Sequence, residues 1–373
     1  KTLYGVDQAP CDTQMREVLD PIDPEVIQPA FKVLQEYCLT TALNDDHAHL
    51  GYHWVLYDGT QHFGSTRIRC AECCAKKKRN GEIHYYHQLL GGVWAKPGSP
   101  YVIPFSPEPI LRQDGSKKND CEREAAKRFF KRLREDFPRR RFVAVGDALF
   151  ATEPHLKLLK SLNIRFVNIV KPGDHDFLYE QVNRAFRNGQ TREFEWLNDD
   201  NVECGVRYVN GVPLNKNSRL RVNFFEYWEC DPDTEKPLYY CAWITDFFIE
   251  PANVYALVEG GRCRWSVENE TFNTLKNQGY HLEHNYGHGQ KHLSTVLGLL
   301  MMLAFMVDQI QAWGCDFFQR AGRRFKTRKA LWFEMQAVFY RCLVPSWESL
   351  WFAIAHPSLT VLPLPDVDIH DTS

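Results

Sequence analysis

The sequence lacks a long uninterrupted apolar run. Its longest such stretch, residues 293–307, is broken by Ser294, Thr295 and Gly298. It is also shorter than the roughly 20 residues that a helix needs to cross a bilayer. No basic segment followed by an apolar stretch opens the chain. We therefore expect a buried helix at this run, no secretory signal, a cytoplasmic protein, and reduced thiols at the twelve cysteines.

An excess of charge of one sign is missing as well. The 45 Lys and Arg residues nearly balance the 47 Asp and Glu residues, which leaves a formal net charge of -2. This balance does not by itself indicate a nucleic-acid partner. Basic residues are concentrated at residues 76–79, 139–141 and 320–329. A single cluster of this kind is most often a solvated surface. The three clusters would indicate a binding function only if they flank the candidate site.

Periodicity in the apolar residues predicts an α/β protein. Strand-like runs at residues 53–57, 83–94 and 101–105 are followed by a helix, a strand, a second helix and a further strand between residues 120 and 170. This order is typical of an RNase H-like mixed sheet flanked by helices. Short alternating runs over residues 191–250 then predict an inserted β subdomain, and helical spacing returns after it.

Helical segments are predicted on both sides of this core. We expect a helix at residues 25–39, and we expect the N-terminal segment to be truncated because the chain begins at Lys1 rather than at a methionine. A segment rich in Trp and Phe closes the chain. The predicted divisions are a helical N-terminal segment (1–50), the first part of the core (51–190), the inserted β subdomain (191–250), the second part of the core (251–313) and a helical C-terminal interaction segment (314–373).

Three acidic residues occupy positions where a carboxylate is costly to desolvate. Asp58 and Asp147 each end an apolar, strand-like run, and ligands collect beyond the carboxyl ends of parallel strands. Glu268 lies in a predicted helix. Converging carboxylates need a cation, so these three residues predict a magnesium cluster.

A neighbouring acid, Glu270, competes with Glu268 for the third place. In an α-helix the two side chains point about 200° apart, so only one of them can face inward. Trp265 and Leu275 fall within roughly 60° of Glu268, whereas Glu270 lies opposite this apolar stripe. We therefore expect Glu268 to point at the core and Glu270 to point at solvent.

Two basic residues accompany Glu268 on this predicted helix. Arg264 lies one turn before it on the same face, and Lys276 lies two turns after it, somewhat off that face. A carboxylate flanked by two cations suits a site where a metal ion and a phosphate meet.

The sequence from residue 12 to residue 289 resembles the DDE transposases of bacterial insertion sequences, in the branch with a β-strand insertion before the glutamate. That branch carries a Tyr-Arg-Glu-Lys signature. Here Gly261 replaces the tyrosine, and seven residues rather than six separate Glu268 from Lys276. The pieces that carry the resemblance are Asp58-Gly-Thr, Gly146-Asp147, Lys171-Pro-Gly-Asp-His and Arg264-Trp-Ser-Val-Glu268-Asn.

The resemblance implies hydrolysis of DNA at the ends of a mobile element, followed by attack of the freed 3′-hydroxyl on target DNA. Two Mg²⁺ ions about 4 Å apart, for which Mn²⁺ can substitute, are expected in such a reaction. Asp58 would bridge the two ions, Asp147 would hold one and Glu268 the other. The implied partners are terminal inverted repeats, target DNA and a second copy of the chain in a homodimer.

The resemblance also implies contacts to the DNA backbone. Arg264, Lys276 and Lys171 are the expected basic contacts, which position DNA without reading its sequence. Two alternatives remain open at this point. The first is a nuclease of the same fold that cuts but does not join, and the second is a catalytically inactive descendant that only binds DNA.

A second candidate metal site begins at Cys70 and Cys73. Their Cys-x-x-Cys spacing provides half of a tetrahedral zinc site, and His84 and His87 follow after a basic stretch. These two histidines are three residues apart on a predicted strand, so they face opposite sides and at most one can join. A structural Zn²⁺ on Cys70, Cys73 and His87 competes with an alternative in which the thiols are free and buried in a hairpin.

Histidines also surround Gly287 and Gly289, after the predicted helix. Beside Lys291, such histidines contact phosphate or solvent more often than a metal. We therefore predict that His284 contacts DNA. The four histidines of this group are His281, His284, His288 and His292.

Overall fold

The computed structural model describes residues 3, 10–41, 48–112, 121–359 and 362. Two helices come first, α1 (Asp12–Leu19) and α2 (Gln28–Thr40), with a 3-10 turn at Pro24–Val26 between them. Helix α2 buries Phe31 and Cys38 completely. It accounts for most of the helix predicted at residues 25–39.

Two long antiparallel strands form the centre of the first part of the core. Strand β1 (His53–Ser65) pairs with β3 (Ile83–Ala95) along most of its length. The shorter strands β2 (Cys74–Lys77), β4 (Val102–Pro104) and β5 (Glu108–Ile110) all pair with β3. Strand β3 therefore has neighbours on both sides, and its second half is buried.

Parallel pairing begins on the other side of β1. Helix α3 (Glu122–Asp136) leads into β6 (Phe142–Gly146), which pairs with β1 in parallel. Helix α4 (Glu153–Ser161) then crosses to β7 (Arg165–Val170), which is parallel to β6. A helical crossover of this kind is how parallel strands are connected.

The predicted insertion continues the same sheet. Helix α5 (Asp176–Arg187) leads to four antiparallel strands, of which the last pairs with β7. The described strands form one mixed sheet of eleven, in the order β2-β3-β1-β6-β7-β11-β10-β9-β8, with β4 and β5 beside β3. The expectation of a mixed sheet flanked by helices is confirmed. The four inserted strands are β8 (Arg192–Leu197), β9 (Glu203–Pro213), β10 (Arg221–Cys230) and β11 (Pro237–Thr245).

The helix predicted to carry Glu268 is broken into three pieces. Helix α6 (Val254–Arg262) ends in a turn, a π-helix follows at Val267–Asn273, and a short α7 (Thr274–Asn277) completes it. A π-helix closes each turn five residues back instead of four. Facing angles calculated for a regular α-helix therefore do not apply here.

Helices cover both faces of the sheet. Gly91 and Gly92 are adjacent in β3 and point to opposite faces. A Cβ atom on Gly91 would lie 2.7 Å from the Phe272 ring in the π-helix, whereas one on Gly92 would collide with Phe129 of α3. The π-helix therefore packs on one face and α3 on the other.

A long apolar helix, α8 (Leu293–Gly314), follows a connecting loop. It is long and apolar enough to cross a membrane, but 56% of its most apolar 18-residue segment is buried inside the protein. This burial is typical of a core helix and confirms the buried helix expected at residues 293–307. Three further helices enclose a smaller apolar core around Leu331, Leu350 and Trp351. They are α9 (Asp316–Gly322), α10 (Arg328–Arg341) and α11 (Trp347–Ala355).

Candidate active site

Asp58 lies within β1, opposite Gly91 of β3. We expected it at the end of its strand, and this expectation is wrong, because β1 continues to Ser65. The parallel pairing of β1 with β6, however, stops at Leu56 and Val145. Asp58 therefore lies just beyond the end of the parallel ladder, on the face of the sheet that the π-helix covers.

Asp147 directly follows β6, as the sequence predicts. Its Oδ1 accepts a hydrogen bond of 2.9 Å from the Leu149 backbone amide, which starts the 3-10 helix Ala148–Phe150. Strands β1 and β6 are parallel neighbours, so the positions that follow their paired residues meet at one edge of the ladder. Asp58 and Asp147 come together there.

Arg264 connects Asp58 with Glu268. Its Nη1 donates to Asp58 Oδ2 at 3.1 Å and to Glu268 Oε1 at 3.0 Å. The Arg264 side chain is only 10% exposed. Its Nε is buried and has no hydrogen-bond partner within the described part of the chain. Arg264 is thus the buried cation between two of the three predicted acids.

The Glu268 side chain points in a different direction from the one that helical periodicity predicts. Its side chain is 47% exposed, so it does not point at the core as expected. Trp265, predicted on the same buried stripe, is 57% exposed. The reason is the turn after α6 and the π-helix, which turn these two side chains away from the direction that a regular α-helix would give them. Glu270 is also exposed, but the hydrogen bond to Arg264 belongs to Glu268.

Burial raises the pKa of Asp58 from 3.8 to about 7. The Gly59 backbone amide, 2.8 Å from Oδ1, and the Arg264 guanidinium both favour the carboxylate, whereas Asp147 and Glu268 oppose its ionisation. The three predicted acids are therefore close enough to influence one another. An added cation would relieve their mutual repulsion.

A fourth carboxyl group, that of Glu122, lies on the other face of β1 and is not indicated by the sequence pattern. Glu122 in the first turn of α3 packs directly against Gly59 and accepts a hydrogen bond from Gln88. Burial raises the pKa of Glu122, and Asp147 contributes to the increase. Acidic residues are common in the first turn of a helix, where they stabilise the helix dipole. The sequence pattern therefore does not distinguish Glu122 from an ordinary residue of this kind.

Gly261, which stands where the signature of the resembled transposases has a tyrosine, is tightly packed. A Cβ atom on Gly261 would lie 2.7 Å from Trp243 Nε1, and one on Gly260 would collide with Trp54. Helix α6 therefore packs against the sheet at a separation that requires glycine at both positions. The Trp243 indole occupies the space where a tyrosine side chain would begin.

The other basic contacts predicted from sequence are spread around the site. Lys171 is exposed and directly follows β7, at the same end of the parallel strands as Asp147. Lys276 Nζ is paired with Glu283 Oε1 at 2.8 Å. His284 is exposed, with its ring 4.6 Å from that of Tyr286. Of these three residues, Lys171 has the clearest position for a contact beside the acids.

The three basic clusters do not surround the acids. Residues 139–141 precede β6, whereas Asp147 follows it, so the whole strand separates them. Residues 76–79 lie at the far end of β2, where Lys78 is paired with Glu82. Residues 320–329 span the end of α9 and the start of α10. The structure thus agrees with the default interpretation of these clusters as solvated surfaces.

The two cysteines and one of the histidines predicted as zinc ligands do come together. One donor atom from each of Cys70, Cys73, His87 and His288 lies within 4.8 Å of the others. His84 is outside this group, in agreement with the expectation that only one of the two strand histidines can join. The fourth member is His288, which we expected at phosphate or solvent but which is only 8% exposed.

Comparisons with known proteins add no further information about this site. We found no protein-family model and no curated protein that matches the chain. Its function is therefore inferred from its own residues.

Proposed function

We propose that the chain is a DDE transposase that cuts DNA at the ends of an insertion sequence and joins the freed 3′ ends to target DNA. The observation that carries this proposal is the meeting of Asp58, Asp147 and Glu268 at one edge of the parallel ladder. Arg264 links Asp58 and Glu268 through hydrogen bonds, and the third acid, Asp147, raises the pKa of Asp58.

The strand order supports an RNase H-like core. Strand β1 pairs with an antiparallel β3 on one side and with the parallel pair β6 and β7 on the other. The short strand β4 adds to β3. This is the arrangement expected from three antiparallel strands followed by helix-strand-helix-strand. It leaves Asp58 and Asp147 just beyond the carboxyl end of the parallel pairing between β1 and β6, where α/β proteins bind ligands.

The donor set fits magnesium. All three side chains offer carboxylate oxygen, the ligand type that Mg²⁺ prefers. Burial is the main cause of the raised pKa of Asp58, and Asp147 and Glu268 add to it, so a cation would stabilise the ionised carboxylate. Asp58, Asp147 and Glu268 would together hold the two ions, with Mn²⁺ as a substitute. Bound there, the ions would activate the attacking water or 3′-hydroxyl and stabilise the leaving oxygen.

The residues of the chain have distinct tasks in this proposal. Arg264 holds the carboxylates of Asp58 and Glu268 in place through its two hydrogen bonds. Exposed Lys171 would contact the DNA backbone beside Asp147. Asp58 must lose its proton before it can bind a cation, so ion binding and deprotonation are coupled.

The resemblance to insertion-sequence transposases supplies the remaining parts of the proposal. The partners would be terminal inverted repeats, target DNA and a second copy of the chain, and the compartment would be the bacterial cytoplasm. A nuclease that cuts without joining uses the same acids. Joined strands among the reaction products distinguish the two enzymes.

The decisive experiment uses a DNA fragment that ends in the sequences flanking the reading frame, with Mg²⁺ and a supercoiled target plasmid. The wild-type protein should cleave the ends and join them to the plasmid. Glu268→Gln should lower the cleavage rate by about 10²–10³-fold, as loss of one charged group that acts in the transition state does. The matched variant Glu270→Gln should cleave at the wild-type rate.

Three outcomes would contradict the proposal. Equal rates in Glu268→Gln and wild type, with loss in Glu270→Gln, would refute the assignment of the third acid. Flanking DNA without inverted repeats, together with cleavage that yields no joined product, would favour the nuclease. Binding of the fragment with no cleavage in either Mg²⁺ or Mn²⁺ would indicate a binding-only descendant.

A further inference from the structure

We propose that Cys70, Cys73, His87 and His288 bind one Zn²⁺ ion in a tetrahedral structural site. The site is separate from the acids and does not depend on the proposed reaction. Its four donors come from three parts of the chain. The two cysteines lie in the loop before β2, His87 lies in β3, and His288 lies in the loop of residues 278–292 between α7 and α8.

Three of the six distances between the donor atoms are close to the edges of a tetrahedron around zinc, and all six are within 4.8 Å. A Zn–S bond of about 2.3 Å gives an S–S edge of about 3.8 Å, and mixed edges to nitrogen are shorter by a few tenths of an ångström. Cys70 Sγ and Cys73 Sγ are 3.8 Å apart. Cys70 Sγ lies 3.3 Å from His87 Nε2, and Cys73 Sγ lies 3.3 Å from His288 Nε2. The protein chain therefore already holds the ligands at coordination spacing.

The chemistry of the donors selects zinc. Two thiolates and two imidazoles in a tetrahedral arrangement are typical of Zn²⁺, whereas Mg²⁺ and Ca²⁺ prefer oxygen ligands. The same two sulfur atoms are too far apart for a disulfide, which requires about 2.05 Å. Cys70 and Cys73 are both free thiols.

The site is closed, as structural zinc sites are. Cys73, His87 and His288 are each less than 10% exposed. The Phe63 ring covers His288 at a centroid distance of 4.3 Å. The His62 ring lies beside His87, with ring centroids 5.8 Å apart, and is itself buried. No donor position is left open for a substrate within this described group.

The bound ion would fasten the loop of residues 278–292 to the sheet. Two other contacts already hold the end of this loop. Asp20 accepts hydrogen bonds from the backbone amides of Gln290 and Lys291. Glu72, which lies between the two cysteines, bonds His292 Nδ1 at 2.6 Å. The start of the loop is held as well, because Tyr280 donates to Asp308 at 2.6 Å and Leu282 is buried. Zinc at His288 would therefore fix the middle of the loop, residues 284–289.

The first experiment measures zinc in the full chain, purified without chelators, by mass spectrometry of the metal. One zinc per chain is expected in the wild type. The metal should be lost from Cys73→Ser, His87→Ala and His288→Ala. It should be kept in the matched controls His84→Ala, on the same strand, and Cys11→Ser, an exposed cysteine.

A second measurement does not depend on the folding of any variant. Wild-type protein in which Co²⁺ replaces the metal should show the absorption bands of a tetrahedral site with two thiolate ligands. Wild-type protein without zinc, or an octahedral Co²⁺ spectrum, would overturn the proposal. A mass lower by two hydrogens in the native protein, with the loss traced to a Cys70–Cys73 bond, would also overturn it.

Hydrogen exchange tests the role of the ion. After removal of zinc by a chelator, amides of residues 284–289 should exchange roughly tenfold faster or more, because the middle of the loop loses its attachment. Amides in α3 should keep their rates. Unchanged exchange in the loop would refute the fastening role. Zinc content is independent of DNA cleavage, so failure of the proposed function and failure of this site are distinguishable.

Discussion

Strands β1 and β3 carry two groups of metal-ligand side chains on the same face of the sheet, one at Asp58 and one at His87. Asp58 is opposite Gly91, which lies four residues beyond His87 in β3, a separation of roughly 13 Å along the strand. The first group offers only oxygen and is partly open, since Glu268 is 47% exposed. The second offers sulfur and nitrogen and is closed.

The difference in access corresponds to a difference in use. A site that acts on a large substrate must leave coordination positions open, whereas a structural site uses all of them for protein ligands. The first group also contains a buried arginine, while the second relies on neutral or thiolate donors. In the two proposals above, one pair of strands would support two kinds of metal chemistry, because its residues meet different helices and loops at each end.

Removal of Arg264 should have the largest effect on stability. In Arg264→Gln, Asp58 keeps its burial but loses its cation, which should lower the free energy of unfolding by about 2–3 kcal/mol. Urea unfolding in EDTA measures this change. Lys127→Gln breaks an exposed pair with Glu124 and should cost less than about 1 kcal/mol. Equal losses in the two variants would contradict the idea that the acids depend on a buried cation.

The pH dependence of stability should distinguish Asp58 from an ordinary surface acid. Its pKa rises from 3.8 to about 7 on folding, so the folded state retains a proton that the unfolded state releases between those values. The contribution of Asp58 to stability is therefore present at low pH and is lost as pH rises through about 7. The wild type should lose about 3 kcal/mol relative to Asp58→Asn between pH 4.5 and pH 8 in EDTA. A difference that stays constant with pH would refute the burial argument.

The smallest effect is expected at Lys276. Its pair with Glu283 is 27% and 60% exposed, so Lys276→Gln should change stability by less than about 0.5 kcal/mol. If Lys276 contacts a DNA phosphate, the same variant should reduce the salt dependence of DNA binding by about one unit of slope. Glu283→Gln is the matched control and should not reduce that slope. An unchanged slope in Lys276→Gln would remove this residue from the site.

Strand patterns were a better guide to this molecule than helix patterns. Asp147 could be placed from sequence because a short apolar run and a glycine define where β6 stops. Glu268 was selected over Glu270, and the contact with Arg264 agrees with that choice, but its predicted direction was wrong. A calculation at 3.6 residues per turn cannot foresee a π-helix, whose pattern is set by packing against β1 and β3.

Contacts between distant segments were the hardest to predict. His288 is 215 residues from Cys73 in sequence, and no local spacing connects a loop histidine to a distant cysteine knuckle. Cys70, Cys73 and His87 could be grouped because they lie close together in the chain and alternate predictably on a strand. Glu122 was missed for a related reason, since its neighbour Gly59 has no side chain to indicate a contact.

The π-helix at Val267–Asn273 offers a way for this region to change in length. Each of its turns holds one residue more than an α-turn, and the Thr271 and Thr274 hydroxyls bond the carbonyls of Ser266 and Asn269, five residues back. Seven residues separate Glu268 from Lys276, one more than in the signature of the resembled transposases. A π-turn can accommodate this extra residue while Leu275 stays fully buried. We expect that a single-residue insertion or deletion here would change only the number of residues in the helical turn. Leu275 and the chain after it would keep their positions.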